Sequence, residues 1–339
     1  NAVLTQFEEY RKQAWTGIGL AEMRDGQLED AKRAFNSALD LDVEYFPAMI
    51  NLGLVELADE NFELSRNYFA AVINKGADEG VAYLGAAMAD LKEHSSHSDE
   101  RFLKNAEMTL KDWISTNYAY RQEAQLFLSY ISMKRDQPSS EDFLEILDQD
   151  PLLTEKHRKN LFVDDQPISW SKLYPYCEEL TSSSSDDPRG MALHAYCSLR
   201  AGKLNQAGQL INRALAAEPG NPMYQSLNAW VLRQQGLEQQ ATVLIGQAIA
   251  SGSANSYKLP HIIQARFCQE NEHWDCALKH WKKVMAKNEE SLAATSGMAL
   301  AYYHLHQKNQ AEQYLWKSIR LSSYYKPLLN LESRIRAEM

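Results

Sequence analysis

The most constraining feature of this chain is that it resembles itself at intervals of 34 residues. Trp15, Gly19, Ala31, Phe35 and Ala38 open the pattern, and Gly53 and Phe69 stand 34 residues after Gly19 and Phe35. Further on, Ala207, Ala241, Ala277 and Ala311 recur at spacings of 34, 36 and 34, and each is followed four residues later by Ile211, Ile245, Trp281 or Leu315. A period of this length marks one supersecondary unit per repeat, which buries its apolar face only by stacking on its neighbours. Within each unit the small residues suit close contact between two helices, and the bulky ones a turn away fill the groove to the next unit. The breaks support the same division. Asp25-Gly26-Gln27, Ala201-Gly202-Lys203 and Gln235-Gly236-Leu237 place glycine where a helix can end left-handed, and Pro219 stands where one must stop. With 15 Gly and 10 Pro in 339 residues, the chain has few of the turns a sheet needs, so the expected class is all-α.

These residues resemble the tetratricopeptide repeat family. The resemblance implies a right-handed superhelical solenoid of antiparallel helix pairs. It covers 12–45 and 46–79, then 188–221, 222–255, 258–291 and 292–325. The repeat at 12–45 departs from the family with Glu22 in place of Tyr and Val43 in place of Pro. A third N-terminal repeat, about 80–117, reads as stretched by a loop at Glu93-His94-Ser95-Ser96-His97-Ser98. The expected organisation is therefore repeats over 1–117, an irregular helical middle over 118–187, and repeats with a capping helix over 188–339. The middle has helical periods at Gln122–Lys134, Ser140–Leu147 and Trp170–Leu180, and a serine tract at 182–187 reads as a hinge. The cap is placed at Tyr325–Met339, where Arg334 and Arg336 supply a polar outer face.

Chemistry is hard to find. No glycine-rich phosphate loop, Gly-x-Ser-x-Gly elbow or His-Glu-x-x-His occurs. His94 and His97 lack a third ligand, and His273, His280, His304 and His306 read as ordinary helix histidines. The expectation is no enzyme, no metal and no cofactor. A formal charge of −10 argues against broad nucleic-acid binding, and no run nears 18 apolar residues, so no membrane span is expected. Residues 1–10 lack the charged-then-apolar order of a signal peptide.

Cys268 and Cys276, with seven residues between them, flank the turn at Asn271-Glu272-His273, so antiparallel helices bring them to one height, within reach of a disulfide. The alternative is two small apolar residues in a helical pair. Their separation is similar to that in exported Sel1-like repeat proteins, which implies a staple between the helices and tips the expected location from cytoplasm toward periplasm. Cys177 and Cys197 form a second candidate pair with unequal offsets from the serine tract.

The tetratricopeptide frame places Arg189, Tyr196 and Arg200 on a concave face, followed by Trp230 and Arg233, Ile262 and Arg266, then Leu300 and Tyr303. Aromatic residues and arginine are the usual anchors of interfaces, so this groove is expected to take a protein or peptide segment of acidic and apolar character. The corresponding N-terminal positions, Leu20, Met23, Ile50, Leu54 and Leu57, are more apolar. The lysine and asparagine clamp of chaperone-tail adaptors is missing: Thr16, Leu20, Ala192 and Tyr196 stand at its positions, and only Asn51 matches. The expected role is a non-catalytic scaffold or adaptor, in an envelope assembly such as pilus or polysaccharide export. The alternatives are a ligand-responsive sensor and a helical accessory region of an enzyme.

Overall fold

The structure is a computed structural model that describes residues 2–76, 80–116, 121–135, 170–182, 187–251, 257–286 and 291–321. Its described residues form sixteen α-helices and no strands, divided between two compact units, 1–116 and 117–339. Unit 1 holds α1 (Ala2–Arg24), α2 (Leu28–Leu39), α3 (Phe46–Ala58), α4 (Phe62–Asn74), α5 (Gly80–His97) and α6 (Glu100–Thr116). Unit 2 begins with α7 (Arg121–Lys134) and α8 (Trp170–Ser182). Four further pairs follow: α9 (Pro188–Arg200) with α10 (Leu204–Ala217), α11 (Pro222–Gln234) with α12 (Glu238–Ala250), α13 (Leu259–Glu270) with α14 (Trp274–Met285), and α15 (Leu292–His304) with α16 (Lys308–Leu321). In each unit a first helix packs on its own second helix, and the second helix packs on the next pair. Of the expected elements, the helix at 140–147, most of the serine tract and the cap at 325–339 lie outside the described residues.

The turn between the helices of a pair is one motif repeated six times. The amide of the residue three beyond the first helix reaches back five residues: Gln27 to the Glu22 carbonyl at 2.8 Å, Asn61 to Glu56 at 2.9 Å, Lys203 to Ser198 at 2.8 Å. Leu237, His273 and Gln307 do the same to Leu232, Cys268 and Tyr302. This Schellman closure needs a left-handed residue just before the reaching amide. Gly26, Gly202 and Gly236 supply it at φ 78°, 77° and 81°, whereas Glu60, Glu272 and His306 are held there at 61°, 58° and 56°. Three first helices of unit 2 start on side-chain caps. Asp187 accepts from the Arg189 amide at 3.1 Å, Asn221 from Met223 at 3.0 Å, and Ser291 from Ala294 at 3.2 Å.

Between the helices sit buried rings. Phe35 lies against Gly19, Phe69 is held between Gly53 and Gly85, and Trp281 lies against Gly297. A Cβ on any of these four glycines would fall 2.3–2.8 Å from its ring, so the helices approach this closely only because glycine is there. The stretched loop expected at 93–98 is not present: α5 continues through His97 and stops at Ser98, which is left-handed at φ 54°. Ser95 and Ser96 donate to the Leu91 and Lys92 carbonyls one turn back, so polar residues at a helix end continue the helix.

Unit 1 adds a second device with the same period. Lys32 on α2 bridges to Glu56 at 3.1 Å and Asp59 at 2.7 Å, both at the α3 end. Thirty-four residues on, Arg66 on α4 bridges to Asp90 at 3.5 Å and to Glu93 on α5. Burial pulls the Lys32 ammonium down, but the carboxylates of Asp59, Glu56 and Glu29 more than offset that and hold it above the usual lysine range. At Asp90 burial wins over Arg66, and the carboxyl is pushed up to about 7.

Candidate peptide-binding surface

The residues expected to form the groove lie on the first helices of unit 2, and most of them meet one another. The Tyr196 and Trp230 rings, 34 residues apart, have centroids 6.3 Å apart. Arg266 lies over the Trp230 ring at 5.9 Å, so α9, α11 and α13 are joined by a Tyr–Trp–Arg ladder. Arg200 donates to the Tyr196 hydroxyl at 2.8 Å and stands 3.8 Å from Glu123 of α7. Arg233 stacks on Phe267 at 4.6 Å, donates to Asn271 at 3.0 Å and pairs with Glu270.

Burial divides the set. Tyr196, Trp230 and Arg266 are buried, and burial pushes the Tyr196 phenol above its ordinary range. They brace the inner helices rather than present free side chains to solvent. The Arg200 and Arg233 side chains are largely covered, each 8% exposed, and their guanidinium groups face carboxylates of this same chain. Arg189 and Tyr303 stand at the two ends of the series, both partly exposed. Sequence reasoning missed Glu123, Phe267 and Glu270. Glu270 lies one helix along from Arg233 and was within reach of the repeat frame, whereas Glu123 comes from a helix with no clear repeat pattern.

Unit 1 presents a different inner surface. Ile50 and Leu54 are buried, and Leu20 and Met23 pack against the Phe35 cluster. Asn51, the one residue matching a chaperone clamp, donates to the Pro47 carbonyl of its own helix at 2.7 Å.

The cysteines fall into two pairs at bonding distance. Cys268 and Cys276 join α13 to α14 across 5.7 Å between Cα atoms, and Cys177 and Cys197 join α8 to α9 across 6.3 Å. His94 and His97 contact backbone carbonyls of Asp99 and Glu93. Among the described residues no group of three or more His, Cys, Asp or Glu is placed to hold a metal ion. No described helix is long and apolar enough to cross a membrane.

Repeated helix pairs closed by the same turn, with small residues under buried rings, define a helical-repeat protein of the kind that serves as a protein-interaction scaffold. Residues 16–82 match the tetratricopeptide repeat family, so that stretch carries tetratricopeptide repeats. No curated protein matches the sequence. Solved structures similar to it include a human IFIT1 dimer with m7Gppp-AAAA, 16% identical, covering 100% of this chain and 68% of that one at a TM-score of 0.43. Yeast Tom70 is 14% identical over 98% of this chain and 77% of its own, with a TM-score of 0.35. A tetratricopeptide repeat protein of Parabacteroides merdae is 9% identical over 86% and 99%, with a TM-score of 0.37.

Proposed function

We propose that this protein is a non-catalytic scaffold that holds an acidic, partly apolar protein segment along the first helices of its second unit. The observation that supports this is the placement of Arg200 and Arg233 on successive inner helices, spaced by the buried Tyr196–Trp230–Arg266 ladder and flanked by the partly exposed Arg189 and Tyr303, in a chain with net charge −10. The carboxylates of Glu123 and Glu270 already sit against Arg200 and Arg233. They support an acidic ligand, whose carboxylate would compete for the same guanidinium edges. Arg189 and Tyr303 would engage the ends of the segment.

The two cysteine pairs support a place in an oxidising compartment and so a role in an envelope assembly. The test uses the full chain as bait in extracts of its native host, with captured proteins identified by mass spectrometry. Arg189→Glu combined with Tyr303→Ala changes only partly exposed residues and should abolish capture of the specific partner while helicity is unchanged. Undiminished capture would remove the inner face of unit 2 from consideration.

A further inference from the structure

The last two second helices of unit 2 carry a charge opposite to that of the chain as a whole. Residues 274–321 hold seven Lys and Arg against four Asp and Glu, a net charge of +3 where the total is −10. Most of these cations share one face. Lys279, Lys282 and Lys283 follow helical spacing on the outward side of α14, and Trp316, Lys317 and Arg320 do so on α16. Lys282 and Trp316 stand 34 residues apart, as do Lys283 and Lys317, so these side chains lie at equivalent places in successive repeats. Lys317 is partly exposed and the other five are exposed, Trp316 to 47%. This exposure belongs to the position in the repeat and not to the place of α16 in the chain. At the same two places α10 carries Asn212 and Arg213, and α12 carries Gly246 and Gln247; all four are exposed although further repeats follow them.

The second helices of unit 1 treat their cations differently. Lys32, Arg33, Arg66, Arg101 and Lys111 each pair with a carboxylate. Among the described residues, no carboxylate lies within ion-pair distance of Lys279, Lys282, Lys283, Lys317 or Arg320. Lys282 instead lies over the Tyr302 ring at 5.9 Å. Five cations gathered on two neighbouring helices without internal counter-charge form a patch that an anionic surface would complete. We propose that the outer face of α14 and α16 attaches the protein peripherally to an anionic lipid bilayer. The ammonium groups and Arg320 would lie at the headgroup phosphates, and the Trp316 indole would enter the interface among them.

The residue types favour this occupant. Four of the five cations are lysines, point charges suited to a diffuse array of phosphates, whereas planar reading of protein carboxylates favours arginine. An indole ring settles at headgroup level because its body is apolar and its N–H stays wet. Single-stranded nucleic acid is the poorer fit, since it stacks successive bases on several rings along a charged groove. Trp316 is the exposed ring among the described residues of these two helices. The attachment uses no residue of the inner face of unit 2 and stands or falls independently of it.

The test is flotation of the full chain with vesicles of phosphatidylcholine alone or with about a third phosphatidylglycerol, a composition that makes the surface strongly anionic. The chain should float with the anionic vesicles at low salt, remain behind with the neutral ones, and be released as salt shortens the screening length. Each cation contributes about fivefold to partitioning, so Lys282→Glu, Lys283→Glu and Lys317→Glu together should weaken it at least about 100-fold. Trp316→Ser should weaken it as well, by a factor that salt does not change. The control is Arg11→Glu, Arg33→Glu and Lys104→Glu, three exposed cations of unit 1 whose reversal changes the net charge equally. It should retain most of the binding, and all variants should keep their helicity by circular dichroism. Failure to float with anionic vesicles overturns the proposal, as does an equal loss in the two triple variants, which would mean that net charge alone decides. Tighter binding of a fluorescein-labelled single-stranded RNA that displaces the vesicles overturns it in favour of nucleic acid.

Discussion

Placing a methyl group on Gly85 tests most directly whether glycines set the stacking distance in unit 1. A Cβ there would lie 2.3 Å from Cζ of Phe69 and 2.6 Å from both Cε atoms, where ordinary contacts start near 3.4 Å. Phe69 is fully buried, and Gly53 confines its other side with a closest approach of 2.8 Å, so the ring has no room to withdraw. Relief requires α4 and α5 to separate by about 1 Å, and overpacking of this kind costs roughly 1–3 kcal/mol. Alanine in place of glycine returns about 1 kcal/mol of helix propensity. The net expectation for Gly85→Ala is a loss of about 1–2 kcal/mol. Gly246→Ala is the control: Gly246 is inside α12 with nothing within 4 Å of a Cβ, and there the substitution should stabilise by up to about 1 kcal/mol. Phe69→Leu in the Gly85→Ala background should cost less than the two single changes summed, because the smaller side chain relieves the clash. Urea denaturation of the full chain by far-ultraviolet circular dichroism measures all four proteins, and hydrogen exchange at α4 and α5 localises the effect, since repeat arrays need not unfold in one step. If Gly85→Ala proves as stabilising as Gly246→Ala, the close-approach argument is wrong.

Four further outcomes follow from the same geometry. Glu60, Glu272 and His306 occupy left-handed turn positions that glycine fills elsewhere, so replacing each by glycine should raise stability by about 0.5–1 kcal/mol in thermal melts. Burial pushes the Asp90 carboxyl up to about 7, so its contribution is fully present near pH 4 and is lost as pH rises to about 7; Asp90→Asn should stabilise the chain by on the order of 2 kcal/mol at pH 8 and have little effect at pH 4. His280, lowered to about 4 by burial and by His261, behaves oppositely: its contribution is present above about pH 6.5 and lost as pH falls toward 4, and His280→Gln should flatten that acid-side decline. Thiol counting of the denatured chain without reductant should find no free cysteine, and reduction should destabilise unit 2 by about 2–3 kcal/mol for each of the loops spanning 8 and 20 residues.

The helix pairs, their period and their turns were legible in the chain itself, because a repeat of 34 residues places Gly19, Phe35, Gly53 and Phe69 in equivalent surroundings each time. Such patterns report local geometry: a small residue where backbones meet, a left-handed residue where a helix closes. The same logic misjudged Glu93–Ser98, since a run of serine and histidine looks like a loop until its hydroxyls are seen bonding back to helical carbonyls. It also assigned Tyr196, Trp230 and Arg266 to an open groove, although packing between successive first helices buries all three.

What tertiary structure alone decided was how far each repeat position is covered. Ile18 and Leu52 occupy the same place in the repeat and look alike in the chain, yet one is exposed and the other is buried. Exposure is set by the helix that lies alongside, and a periodic sequence assigns the same chemistry to a covered flank and a bare one. How deeply a given repeat position is covered is therefore fixed only once the helices are assembled.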